Sequence, residues 1–148
     1  KSVLFLGRHV GFPVALEGAL KLKEVAYLHS EGFAAGELKH GPIALVEEGQ
    51  PVFVIVPSKH SRHNLHAKVV SNIQEVRARG AVTIVIAEDG DEDVVEFANH
   101  VIRIPESAGL MQPILSTVPL QLFACSVAEA RGLNVDQPRN LAKSVTVE

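Results

Sequence analysis

A single cysteine, Cys125, stands in the whole chain, so no internal disulfide framework can form, and this usage fits a reducing compartment such as the cytoplasm. Charge of one sign is also scarce. Fourteen Lys and Arg against 17 Asp and Glu leave a net charge of -3, which gives no electrostatic reason to expect nucleic acid or a membrane as partner. No apolar run approaches the length of a membrane span, and no signal-peptide pattern opens the chain. Repeats and low-complexity tracts are missing. So are the Walker lysine pattern and G-x-G-x-x-G, leaving Gly7-Arg8-His9-Val10-Gly11 after a strand-like run as weak evidence for nucleotide binding.

What is present is globular. Apolar residues make up 47% and charged residues 21% of 148 positions, enough for one domain with its own core. Lys1 stands directly before a strand-like run, as expected of a piece cut from a longer polypeptide. Ser2 to Leu6, Pro51 to Val56, Ala81 to Ala87 and His100 to Ile104 are apolar at nearly every position, which suits strands covered on both faces. Between them the pattern predicts helices over 13–29, 61–79, 91–98 and 110–131, the first opened by Pro13, the second stopped by Gly80 and the last kinked at Pro119. Strand–helix alternation of this kind means an α/β fold with a parallel sheet between helical layers. Two segments fall outside it: Gly-rich Glu31 to Val46, with a possible turn of helix at Glu37 to His40, and the polar tail after Gly132. Loops of this sort are where α/β domains carry function.

At about 100° per residue, Glu17, Lys21 and Glu24 fall within roughly 60° of one another on the first helix. Leucines, alanines and Val25 take nearly all the rest, and Lys23 is the only other charge inside it. So narrow a charged stripe predicts a mostly buried helix whose stripe faces a cleft, an interface or a paired network. Leu20 and Leu28 flank Glu24, and desolvation would raise its pKa while Lys21 pulls it back, a balance that suits a group taking and returning a proton. The same spacing is also that of an ordinary exposed ion pair. His40, between Lys39 and Gly41-Pro42, can donate or accept a proton near neutral pH, or be a solvated loop histidine. Lys143 can attack a carbonyl if it loses its proton, or be a solvated tail lysine. His60, His63 and His66 read as a solvated helix face in preference to a metal site, because no carboxylate is interleaved. Cys125 reads as a buried, inert thiol.

Taken together, ALEGALKLKE (15–24), AAGELKHGP (34–42) and DQPRNLAKSVTVE (136–148) resemble the glucosamine-6-phosphate synthase family, and the similarity runs from Lys1 to Glu148. The resemblance implies a second sugar-isomerase (SIS) subdomain over 1–131 and a tail over 132–148 that contributes to the active site. It implies a three-layer αβα sandwich with a parallel, flavodoxin-like sheet. It implies the conversion of fructose 6-phosphate and glutamine to glucosamine 6-phosphate, the entry to UDP-N-acetylglucosamine, without metal or nucleotide cofactor. Glu24 matches the base that moves a proton between C1 and C2, Lys21 the lysine that shuttles protons at the sugar oxygens, and Glu17 a supporting carboxylate. His40 matches a ring-opening histidine that reaches the neighbouring subunit, hence a homodimer. Lys143, with Ala142 beside it, matches the Schiff-base lysine at the substrate, and Arg139 lies along the ammonia path between domains.

A glutaminase domain and a first SIS subdomain would then be missing partners. The family's main phosphate-binding Ser/Thr cluster belongs to that first subdomain, and the equivalent loop here, GRHVGFP, has neither residue. The chain alone is therefore expected to bind fructose 6-phosphate weakly and turn over little or none. Competing readings are a non-catalytic SIS module that senses sugar phosphates, a stand-alone phosphosugar isomerase, and a pure dimerisation domain.

Overall fold

The computed structural model describes residues 2–141. Five short runs form strands: β1 Val3–Gly7, β2 Ser30–Ala34, β3 Pro51–Ile55, β4 Val82–Glu88 and β5 His100–Ile104. All neighbouring pairs are parallel, in the order β2-β1-β3-β4-β5. The helices are α1 Gly11–Ala26, α2 Leu65–Arg77 and α3 Gln112–Ala130. The period-2 geometry of a strand sends Phe5 and Phe53 to one face, rings stacked 4.9 Å apart, under α1 and α3. Leu4, Leu6, Val52 and Val54 go to the other face and meet Val69, Ile73 and Val76 of α2. Both faces of the central strands are thus buried, which is why these runs show no polar alternation. The result is the expected αβα sandwich, and its 2-1-3-4-5 order is the flavodoxin-like one.

Several local expectations are corrected. The sequence pattern puts residues 31–34 in a Gly-rich loop, where the structure has β2. Its sequence, SEGFA, has no β-branched residue, and it forms because β1 offers an open edge for pairing. The second helix starts at Leu65, after a 3-10 turn at Arg62–Asn64 in which His63 is left-handed (φ 63°). Residues Glu92–Phe97 form a 3-10 helix, its start capped by the Asp91 side chain accepting from Asp93 N–H. By length and composition α3 could cross a membrane, contrary to the reading that no run comes close. In the fold it packs on α1, burying Leu120, Ala124 and Ala128. Cys125 is half-buried, not buried.

α1 is also less buried than its composition implied. Val14, Ala15, Ala19, Leu22 and Ala26 face the sheet and α3, while Leu16 and Leu20 stand exposed beside the charged stripe. Among the described residues, α1 is covered on the sides that face the sheet and α3. Its entry is tight: a β-carbon on Gly7 would lie 2.7 Å from Phe12 N, so the turn from β1 into α1 closes only with glycine there.

Candidate functional site

Chain direction decides which side chains can meet. All strands run the same way, so α1 and α3 start near the carboxyl edge of the sheet and run back to the amino edge. Thirteen residues at 1.5 Å each put Glu24 about 20 Å from the start of α1. The tail after α3 emerges at that same amino edge.

There the stripe is assembled. Lys21 Nζ lies 2.5 Å from Glu24 Oε2 and 3.5 Å from Glu17 Oε1. These side chains are between 27% and 37% exposed, so Glu24 is half-buried and ion-paired rather than stranded among leucines. The hydrogen bond to Glu24, opposed by partial burial and supported by the charge of Glu17, holds the Lys21 amine above its ordinary 10.5. Lys21 is therefore an ammonium at neutral pH, paired with the Glu24 carboxylate one turn away.

The last turn of α1 then docks the tail. Tyr27 closes the helix in the left-handed region (φ 53°), a costly conformation for an aromatic residue. Its hydroxyl accepts the backbone N–H of Arg139 at 2.7 Å, and the Arg139 guanidinium carbon lies 4.1 Å above its ring, a cation–π contact. Between helix and tail opens a cleft of about 500 Å³ bordered by Glu24, Tyr27, His29, Arg139, Asn140 and Leu141. Glu24 and Arg139, 115 residues apart in sequence, line one cavity. Sequence reasoning missed Tyr27 and His29. The signal available was a lone aromatic directly after an amphipathic helix.

His40 is not brought to this cleft. It is exposed, in the 3-10 turn Leu38–His40 just past β2, and the bond from Ala35 N–H to Gly7 O ties that exit to the carboxyl edge of β1. Glu24 lies at the opposite edge. Ala142 and Lys143 lie outside the described residues.

The three histidines at 60, 63 and 66 do not share a solvated helix face. His66 is buried, its Nε2 2.6 Å from Asp91 Oδ2. With Asp93 these form a set whose ligand atoms lie within 4.8 Å of one another. Lys59 Nζ sits 3.3 Å from Asp91 and 3.2 Å from Asp93, so an ammonium already balances both carboxylates. His60 and His63 line a second opening, at the carboxyl edge between β1 and β3.

The doubly wound parallel sheet thus carries an acid–amine–acid stripe on its first helix, and the family match names its class. The SIS domain profile matches residues 1–130, and the chain belongs to that family. It is 82% identical, over its whole length, to glutamine–fructose-6-phosphate aminotransferase (isomerizing) of Corynebacterium glutamicum, of which it covers 24%. Among solved structures, the C-terminal domain of glucosamine-fructose-6-phosphate aminotransferase from Francisella tularensis superposes with a TM-score of 0.84 at 41% identity, over 93% of this chain and 38% of that one. A glucosamine-6-phosphate deaminase from Thermotoga maritima superposes with a TM-score of 0.72 at 29% identity, over 99% and 40%. The chain thus spans about a quarter of the length of the curated relatives it matches.

Proposed function

We propose that this chain is the second sugar-isomerase half of a cytoplasmic enzyme making glucosamine 6-phosphate from fructose 6-phosphate and glutamine, and that it serves the ketose-to-aldose step. One observation carries the reading: Glu24, paired to a protonated Lys21, opens onto a cleft whose far wall is the tail at Arg139. In that cleft Glu24 removes a proton from C1 of the sugar and returns it to C2. Lys21 donates to the sugar oxygens, and Glu17 holds the Lys21 ammonium in place.

Lys143 follows Leu141 by two residues, and the chain can span at most about 7 Å over them. The proposal gives Lys143 the Schiff base with the ketose carbonyl and Ala142 a contact to the substrate. Acid, base and amine all come from the polypeptide, so no cofactor is invoked. His40, at the other edge of the sheet, acts on the site of a neighbouring subunit, which makes the working unit a homodimer. The remaining domains cover the apolar flank of α3 and bring the phosphate-binding loop and the ammonia source. The product feeds UDP-N-acetylglucosamine synthesis.

The experiment is Glu24→Gln in the full-length enzyme. Isomerisation should fall by about 10²–10⁴, with glutamine hydrolysis and the melting temperature retained. A variant that isomerises at the parent rate would remove Glu24 from the role of base.

A further inference from the structure

Tyr27 stands where α1, the cleft and the tail meet, and the proton transfers assigned to Glu24 and Lys21 leave it without a task. Helices that close in the left-handed region ordinarily do so with glycine, or with asparagine. Here an aromatic residue takes that conformation (φ 53°, ψ 37°), and its N–H and that of Leu28 both donate to Leu22 O. A residue with a bulky side chain is strained there. Such strain persists where the surrounding structure over-determines it, and it gathers at functional sites. The cap needs neither a ring nor a hydroxyl, so helix closure does not account for tyrosine.

The ring and the hydroxyl hold the tail. The chain leaves α3 through Gly132 (φ 69°), with Leu133 N–H donating to Ala128 O at 2.9 Å. Leu133 and Val135 rest against the core beneath α1 and α3. Between them, the Asn134 side chain accepts from the N–H groups of Asp136 and Gln137 at 3.0 and 3.1 Å, a local turn. Arg139 then meets Tyr27 twice, its main chain through the hydroxyl and its guanidinium over the ring. Asn140 follows in the left-handed region (φ 63°), which asparagine tolerates, so the chain turns directly after it is caught. Among the described residues, the bond to Tyr27 is the last hydrogen bond along the tail.

The place of this anchor gives it a use. Tyr27 follows Glu24 by three residues, one turn beyond it at the end of α1, and both border the cleft. Lys143 follows Arg139 by four residues, a reach of at most about 14 Å. An anchor beside the base therefore limits how far the Lys143 amine strays from the carbon that Glu24 deprotonates, and orientation of that kind carries a large factor in rate. We propose that Tyr27 is a positioning residue: through Arg139 it latches the tail to the end of α1 and so presents Lys143 to the substrate beside Glu24. This rests on the reading of the cleft as the isomerase site.

Two variants of the full-length enzyme test it. Tyr27→Asn suits the left-handed turn and removes both ring and hydroxyl. Tyr27→Phe keeps the ring under the guanidinium and removes the hydroxyl alone. If Tyr27 only closed the helix, asparagine would serve at least as well. For a latch, kcat of isomerisation should fall about 10–100-fold in Tyr27→Asn and about three- to tenfold in Tyr27→Phe, with KM for fructose 6-phosphate within about twofold of the parent. Tail peptides around Arg139 should also exchange their amide hydrogens faster in Tyr27→Asn, read by mass spectrometry. Parental kcat in Tyr27→Asn, a loss carried by KM alone, or unchanged exchange around Arg139 would each overturn the latch. Glu24→Gln assayed alongside separates two failures. If it too isomerises at the parent rate, the reading of the cleft falls; if it is inactive while Tyr27→Asn turns over normally, only the role of Tyr27 does.

Discussion

Lys21 is an ammonium shared between two carboxylates on successive turns, and its protonation is linked to folding. Its pKa is raised in the folded chain, so its contribution is fully present below the ordinary 10.5 and is lost as pH rises through the higher folded value. Lys21→Met should therefore lower stability by about 0.5–1 kcal/mol near neutral pH, a figure discounted for partial exposure, and the difference from the parent should vanish in strong alkali. Urea denaturation of both proteins at about pH 8 and about pH 12 measures it. A difference that persists unchanged at the higher pH would mean that Lys21 acts through packing of its stem. At this scale the sequence was informative: spacing alone singled out Glu17, Lys21 and Glu24. It misjudged their environment, because Leu16 and Leu20 are apolar yet exposed, and composition does not tell which side of a helix a neighbour covers.

β2 is the element that local signals concealed. It takes an edge position beside β1 and runs beneath α1 so closely that a β-carbon on Gly32 would lie 2.9 Å from Leu16 N and 3.0 Å from Ala15 O. Those are backbone atoms and cannot swing aside. Gly32→Ala should cost about 1–3 kcal/mol by overpacking, read as a lower urea midpoint. A midpoint equal to the parent's would mean that β2 can drift from α1 without penalty. The serine that opens the strand holds the same junction, its Oγ donating to Ala19 O at 2.7 Å. A strand specified by contacts with a helix and a partner strand, not by β-branched residues, is poorly visible to any reading based on periodicity.

At the scale of the whole molecule, one flank lacks cover among the described residues. Ile114, Val118 and Leu122 recur every four residues along α3 and are all exposed, as are Leu110 and Met111 just before the helix. Contiguous apolar surface of this kind marks an interface. Ile114→Glu with Leu122→Glu should change the stability of this chain by less than about 0.5 kcal/mol, as expected of exposed positions. In the full-length enzyme the same pair should disrupt assembly, seen as a lower sedimenting mass and loss of isomerisation. Full-length enzyme that sediments and turns over normally would exclude this flank from the assembly.

What the sequence determined by itself was the αβα class, four of five strands and the acid–amine–acid stripe, all consequences of side-chain periodicity within one element. Only the tertiary structure decided the rest. It docked Arg139 on Tyr27, set His40 at the edge opposite Glu24, and buried His66 against Asp91. Each of these joins separate loops or elements, and in a parallel sheet such contacts follow from strand order and chain direction, which no local window of residues encodes.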